Sequence, residues 1–99
     1  MDILKPKILI ADDLTINLIA LEKLLRGVDI DVEIFPASSG NDAIKLAVKH
    51  RFALAIIDVQ MPDMDGYETT DLLLSEDINQ DCPVIFITAA YQDELHRIK

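Results

Sequence analysis

The chain has 99 residues, 51% of them hydrophobic and 27% charged, which is the composition of one globular domain and excludes a disordered segment. Eighteen acidic residues against nine Lys and Arg give a net charge of −9, and an acidic surface repels phosphate backbones, so direct nucleic-acid binding is not expected. The single cysteine, Cys82, excludes a disulfide framework and predicts a cytoplasmic location, and the apolar runs are too short for a signal sequence or a bilayer span.

The first predicted strand is the apolar run Lys7–Ala11, which does not alternate with polar residues. Such runs are typical of strands that are covered on both faces of a parallel sheet. The helix that follows is predicted from four leucines spaced four, three and four residues apart, which form one apolar stripe. These leucines are Leu14, Leu18, Leu21 and Leu25. Gly27 then stands where a helix commonly ends in the left-handed conformation.

The second predicted strand, residues 31–37, alternates in polarity and contains Pro36, which favours an edge position in the sheet. A helix is predicted over residues 41–50, and Ser39 with Asp42 resembles a capping box at its start. The predicted apolar face of this helix consists of Ala43, Ile44, Ala47 and Val48.

Two further apolar runs, 53–57 and Val84–Ile87, are each followed by a helical pattern. One helix is predicted to begin near Tyr67 and the other near Tyr91. Strand and helix therefore alternate four times, which predicts an α/β fold with a doubly wound parallel sheet.

Polar residues follow three of the predicted strands at the point where each strand ends. Asp12 and Asp13 follow the first strand, Asp58 follows the strand 53–57, and Thr88 follows the last one. Ligands of parallel sheets bind at the carboxyl ends of the strands, where these side chains would converge. Clustered carboxylates recruit a cation, and oxygen ligands suit Mg²⁺. A carboxylate in such a site can attack phosphorus, and a hydroxyl can bond a phosphoryl oxygen.

The segment after Asp58 is predicted to be a loop. Pro62 restricts one φ angle, and Gly66 allows an unusual φ or a close backbone approach. A calcium-binding EF-hand loop fits poorly, because its register would place Met61 at the first ligand position and Leu72 at the last.

Three segments together closely resemble the receiver domain of two-component response regulators: 8–13 (ILIADD), 58–66 (DVQMPDMDG) and 86–89 (FITA). The resemblance covers essentially the whole chain. It implies a flavodoxin-like sheet with strand order 2-1-3-4 and a single receiver domain over residues 1–99. The fifth strand and fifth helix of the family would be missing at the C-terminus.

The resemblance also implies a function. Asp58 would take a phosphoryl group from a phosphohistidine on a sensor histidine kinase or a histidine phosphotransfer protein. Thr88 and Ala89 would bind that group and switch conformation, which would control an effector domain or a partner protein. The implied Mg²⁺ ligands are Asp12, Asp13, Asp58 and the backbone carbonyl of Gln60.

Gln60 and Ala90 flank the implied phosphoryl site, at positions that influence hydrolysis of the acyl phosphate in this family. Ala90 leaves access for water open, whereas Gln60 either hinders water or orients it. The implied protein is a signalling module that catalyses its own phosphotransfer and dephosphorylation, and it is not a multiple-turnover enzyme.

Two other classes compete with this interpretation. A haloacid-dehalogenase-like phosphatase also uses an aspartate at a strand end with Mg²⁺, but it needs a second Asp where this chain has Gln60. A nucleotide- or flavin-binding domain needs a glycine-rich phosphate loop after the first strand, where this chain has Asp12, Asp13, Leu14 and Thr15.

The missing fifth strand has a physical consequence. Val84–Ile87 would become an exposed edge with apolar side chains on both faces, and such edges pair with other chains. The sequence therefore predicts self-association through this strand, or low stability. The lysine that ends the fifth strand in the family would also be missing, and without its positive charge on the transferring phosphoryl group the resemblance implies weak phosphoacceptor activity.

Overall fold

Four parallel strands alternate with three α-helices in residues 5–88, the part of the chain that this computed structural model describes. The elements in chain order are β1 (Lys7–Ala11), α1 (Thr15–Arg26), β2 (Glu33–Ala37), α2 (Gly40–Ala47), β3 (Leu54–Asp58), α3 (Gly66–Ser75), a 3₁₀ turn (Asp77–Asn79) and β4 (Val84–Ile87). The strands form one sheet in the order β2-β1-β3-β4, so the predicted parallel sheet and its strand order are confirmed.

The register of the sheet brings the carboxyl ends of three strands together. Ala11 at the end of β1 lies beside Ile57, and Asp58 at the end of β3 lies beside Ile87 of β4. The residues that directly follow β1 and β4 therefore leave the sheet at the same edge as Asp58.

The core consists of two apolar clusters, and alternate residues of the strands contribute to each of them. Leu9 and Ile57 belong to the cluster that also contains residues of α2 and α3. Ile8, Ile10 and Leu18 belong to the cluster that contains the inner residues of α1. Because both faces of the sheet are covered, a central strand such as β1 is apolar at successive positions instead of every second one.

Several predicted boundaries shift. The strand predicted over 53–57 is β3, so Asp58 is the last residue of the strand. The helix predicted over 41–50 is shorter, and Val48 lies at its end with an exposed side chain. The Ser39 hydroxyl accepts the Asp42 backbone N–H at 3.0 Å, but the Asp42 carboxylate accepts the Ser38 hydroxyl, so only half of the predicted capping box forms. The helix predicted near Tyr91 lies outside the described residues.

The prediction for Gly27 was wrong. Gly27 caps α1 with φ −74° and ψ −15°, in the right-handed region. Its N–H bonds to the Lys23 and Leu24 carbonyls, and the next N–H bonds to the Leu25 carbonyl. The chain thus continues in a right-handed turn, and the left-handed residue that usually reverses a helix end is not needed.

The third helix, α3, begins at Gly66, one residue before its predicted start near Tyr67, but the capping box at this start was not recognised in the sequence. Asp65 and Glu68 form a reciprocal capping box: the Asp65 carboxylate accepts the Glu68 N–H at 2.8 Å, and the Glu68 carboxylate accepts the Asp65 N–H at 3.3 Å. Both acids satisfy backbone donors that the first turn of a helix leaves unpaired. The D-x-x-E pattern after the proline-containing loop was the signal that could have revealed this capping box.

Candidate functional site

Three carboxylates meet at the carboxyl edge of the sheet. Asp12 and Asp13 directly follow β1, and Asp58 is the last residue of β3. One carboxylate oxygen from each of the three lies within 4.8 Å of the others. The structure therefore brings together the acids that the sequence predicted to converge.

Asp12 is held in a defined orientation. Its backbone N–H donates to the Ala37 carbonyl at 3.1 Å, which extends the pairing of β1 with β2 by one residue. One carboxylate oxygen accepts the Leu14 N–H at 3.0 Å, and the other accepts the Asn17 side-chain amide at 3.1 Å. Sequence analysis missed Asn17, whose only signal was its place in the first turn of the helix after the acidic pair.

Asp58 is buried, and only 8% of the residue is exposed. Burial raises the pKa of its carboxyl, and the charges of Asp12 and Asp13 raise that pKa further. The backbone N–H of Gln60 donates to Asp58 at 3.3 Å and acts in the opposite direction. The site therefore disfavours a negative charge at Asp58 unless a cation compensates for it.

The loop after Asp58 folds back onto the strand. The Gly66 N–H donates to the Val59 carbonyl at 2.8 Å, and a Cβ atom on Gly66 would lie 2.8 Å from the Val59 Cα. The predicted role of Gly66 is confirmed as close backbone approach, whereas the positive φ of the loop, 69°, belongs to Asp63. Pro62 accepts the Met64 N–H at 2.7 Å in the same tight loop.

A cavity of about 560 Å³ opens beside the acidic cluster. Asp12, Asp13, Asp58, Gln60 and Thr88 line its polar end. The remaining lining residues are Leu14, Ile87, and Asn17 and three apolar residues of α1. Thr88 thus borders the same cavity as the carboxylates, as predicted, whereas Ala89 and Ala90 lie outside the described residues.

His50 and Cys82 have structural surroundings. The Lys7 ammonium donates to His50 Nδ1 at 3.0 Å, and the imidazole lies 4.5 Å from the Phe35 ring, centre to centre. Burial raises the pKa of the Cys82 thiol, which donates to the Pro83 carbonyl at 3.4 Å. Both side chains therefore have ordinary packing and hydrogen-bond partners.

A parallel sheet of this order with an acidic cluster at its carboxyl edge is a flavodoxin-like α/β domain. Residues 8–99 match the family model of the response regulator receiver domain, and the chain belongs to that family. The predicted family is thereby confirmed, and the phosphatase and flavin interpretations lose their support.

Relatives of known sequence or structure agree with this assignment. The chain is 35% identical over 82 residues to the signal transduction histidine-protein kinase BarA of Escherichia coli K12, covering 83% of this chain and 9% of BarA. A two-component transcriptional regulator from Clostridium phytofermentans superposes with a TM-score of 0.75 at 32% identity, covering 94% of this chain and 72% of that one. Like BarA, the other curated relatives considered are much longer, and the chain spans at most 37% of their length.

The chain also resembles the receiver domain of the sensor histidine kinase PA1611 from Pseudomonas aeruginosa PAO1. It superposes with a TM-score of 0.75 at 19% identity, covering 96% of this chain and 94% of that one, and its structure has a magnesium ion in the active site cleft. At this identity the similarity establishes the fold.

The chain is a receiver module of two-component signalling, and its function is that of a phosphoacceptor domain. Within residues 5–88, no helix is both long enough and apolar enough to cross a membrane.

Proposed function

We propose that Asp58 is the phosphoacceptor of this receiver domain. The observation that carries the proposal is that the buried Asp58 lines the cavity together with Thr88, with carboxylate oxygens of Asp12 and Asp13 within 4.8 Å of its own. A phosphoryl group entering the cavity would reach Asp58, whose burial keeps bulk water from one side of the carboxylate.

The donor set of the site fits Mg²⁺. All candidate ligands are oxygens, from Asp12, Asp13, Asp58 and the backbone carbonyl of Gln60, and hard oxygen ligands with open positions for phosphate are what Mg²⁺ prefers. When bound, the ion would supply positive charge that offsets the three carboxylates and the transferring phosphoryl group. The magnesium ion in the PA1611 receiver cleft supports the same assignment.

The proposed reaction is a transfer from a phosphohistidine. A carboxylate oxygen of Asp58 attacks phosphorus, the new O–P bond forms, the P–N bond breaks, and its electron pair stays on the imidazole nitrogen of the donor. Thr88 and Ala89 bind the phosphoryl oxygens. A water molecule later attacks the same phosphorus, which releases phosphate and restores Asp58. Gln60 and Ala90 set the rate of this hydrolysis.

The proposed phosphodonor is a sensor histidine kinase or a histidine phosphotransfer protein, and the proposed target is an effector domain or partner protein. The histidine-protein kinase BarA and the sensor protein GacS are relatives of this chain, which supports a histidine kinase system as the source of the phosphoryl group. The cytoplasmic location, the single-domain interpretation of residues 1–99 and the missing fifth strand and helix stay predictions.

The decisive experiment is incubation with Mg²⁺ and acetyl phosphate, followed by mass spectrometry. We expect a gain of one phosphoryl group that is lost in Asp58→Asn and retained in Asp63→Asn, which removes a neighbouring exposed acid. A gain that persists in Asp58→Asn would refute the assignment. Multiple turnover of phosphate esters would instead indicate a phosphatase.

The metal ligands and the switch residue have separate tests. Mg²⁺ should raise the melting temperature of the wild type, because it relieves repulsion among the carboxylates, and Asp13→Ala should remove this increase.

Thr88→Ala should still accept the phosphoryl group at Asp58 but lose the conformational response in amide NMR spectra. An unchanged Mg²⁺ effect or an unchanged response would contradict the respective role.

A further inference from the structure

The rings of Tyr67 and Phe86 form a contact that the proposed chemistry does not use. Tyr67 is the second residue of α3 and Phe86 the third residue of β4, and their ring centroids lie 4.9 Å apart with the planes inclined by 56°. The two residues are 56% and 40% exposed, so this contact lies outside the core clusters. Tilted aromatic pairs at this separation attract each other. The contact therefore joins the start of α3 to β4 at the surface.

Tyr67 is tied to the backbone next to Asp58. It directly follows Gly66, whose N–H donates to the Val59 carbonyl at 2.8 Å. The backbone of Gly66 is packed so tightly that a Cβ atom there would meet the Asp58 carbonyl and the Val59 Cα. The position of the Tyr67 backbone is thus set by the end of β3.

Phe86 is tied to Thr88 through a short strand. β4 has four residues, and within residues 5–88 it pairs with β3 alone. The Val59 N–H donates to the Ile87 carbonyl at 2.8 Å, one residue before Thr88. Val84 and Ile87 of this strand pack against the core clusters, and the Tyr67 ring adds a contact to Phe86, two residues before Thr88.

We propose that Tyr67 is a positioning residue: through Phe86 it holds the end of β4 so that Thr88 stays within reach of a phosphoryl group on Asp58. This inference rests on the proposed roles of Asp58 and Thr88. The rings do not line the cavity, so their loss leaves the acidic cluster and its affinity for Mg²⁺ unchanged. A residue that merely stabilised the domain would not change the position of Thr88 while leaving the affinity for Mg²⁺ constant.

The test compares Tyr67→Ala with Tyr67→Phe, which keeps the ring, and with Leu72→Ala, which removes another exposed apolar side chain from α3. Each protein is assayed for Mg²⁺ affinity, for the initial rate of phosphorylation by acetyl phosphate, and for the shift of the Thr88 amide resonance on phosphorylation. Tyr67→Ala should slow phosphorylation about three- to tenfold, because misplacing one phosphoryl-binding group weakens orientation. It should also reduce the Thr88 shift while the dissociation constant for Mg²⁺ stays constant. Tyr67→Phe and Leu72→Ala should behave as wild type.

A wild-type rate and Thr88 shift in Tyr67→Ala would overturn the proposal, and so would an equal loss in Leu72→Ala. Phe86→Leu removes the same ring contact from the β4 side and serves as the second variant if Tyr67→Ala unfolds at the assay temperature. A wild-type protein that takes no phosphoryl group refutes the proposed function as well, which distinguishes that failure from a failure of the ring contact alone.

Discussion

Asp58 is an acidic residue whose surroundings disfavour its own charge. Its carboxylate is buried beside two other carboxylates, and burial and these neighbouring charges raise its pKa. Such a group opposes folding when it is ionised, because the unfolded chain would hydrate the charge. In the proposed function, the same arrangement would attract a cation and the phosphoryl group that the cation accompanies.

A prediction about pH follows from the raised pKa of Asp58. When the pH lies above 3.8, the ordinary pKa of the carboxyl, Asp58 binds more protons in the folded state than in the unfolded state. The contribution of Asp58 to the free energy of unfolding therefore falls as the pH rises through the folded pKa. Asp58→Asn should therefore stabilise the metal-free protein at pH 7, and the gain should vanish near the ordinary pKa. Urea unfolding in the presence of EDTA at both pH values measures this difference.

The control for this measurement is Asp71→Asn, which neutralises an exposed acid on α3. It should change the free energy of unfolding little at either pH. A less stable Asp58→Asn protein at pH 7 would mean that the Asp58 carboxylate makes favourable contacts that outweigh its burial.

At the scale of elements, the glycine at the start of α3 and the glycine at the end of α1 differ in the space available for a side chain. Gly66 starts α3 against the backbone of Asp58 and Val59, whereas Gly27 ends α1 with ordinary space around it. The nearest atoms to a Cβ on Gly27 would be carbonyl oxygens at 3.4 Å and 3.6 Å, which is normal contact. The two positions therefore form a matched pair for an alanine substitution.

Gly66→Ala should destabilise the domain by about 1–3 kcal/mol, the usual cost of forcing atoms into a packed site. Gly27→Ala should stabilise it by about 0.4–1 kcal/mol, because its backbone is right-handed and alanine restricts the unfolded chain. Urea unfolding of both variants measures these changes. Destabilisation by Gly27→Ala would indicate a left-handed backbone after all, and a neutral Gly66→Ala would argue against the close approach.

The loop between α2 and β3 depends on one buried side chain. Asn79 in the 3₁₀ turn is 1% exposed, and its side chain bonds to three backbone groups of that region. Its oxygen accepts the Phe52 N–H at 2.8 Å, and its amide donates to the Ala47 and His50 carbonyls at 2.9 Å each. Asn79 thus satisfies a helix end and a strand entrance together.

Asn79→Ala should cost about 2–4 kcal/mol, since it leaves one buried backbone donor and two acceptors without their partner. Gln80→Ala is the matched control, because Gln80 is exposed and bonds only weakly to Asp77, at 3.5 Å. Denaturant unfolding should show the large loss for Asn79→Ala and almost none for Gln80→Ala. Equal effects would show that the bonds of Asn79 add little to stability.

At the scale of the whole molecule, β4 carries exposed apolar side chains. Ile85 is 52% exposed and Phe86 40%, and within residues 5–88 this strand pairs with β3 alone. Strands of this kind pair readily with other chains. The 99-residue chain is therefore predicted to self-associate through Val84–Ile87.

Ile85→Lys tests this association, because a lysine on an edge strand opposes pairing. Sedimentation velocity over a range of concentrations should show association of the wild type and a monomer for Ile85→Lys. Ile16→Lys, which changes an exposed isoleucine on α1, should associate as the wild type does. A wild type that stays monomeric at high concentration would contradict the prediction.

Patterns in the sequence were sufficient for the parallel sheet and for the convergence of Asp12, Asp13, Asp58 and Thr88, and the resemblance to the receiver family supplied the strand order. The strands of a parallel sheet are buried on both faces, so each strand is a continuous apolar run in the sequence. The residues that follow these runs lie at the same edge of the sheet. These are local patterns, so they can be recognised without coordinates.

Only the tertiary structure decided which distant groups each side chain meets. Asn79 bonds to residues 27 to 32 positions away, and Tyr67 contacts a strand that begins after the next turn. Gly27 was predicted to be a left-handed cap because glycine can adopt that conformation. Glycine can equally adopt a right-handed conformation, and the chain continues in a right-handed turn there. Local sequence limits what each residue can do, whereas its partners are determined by where the packed helices and strands bring other parts of the chain.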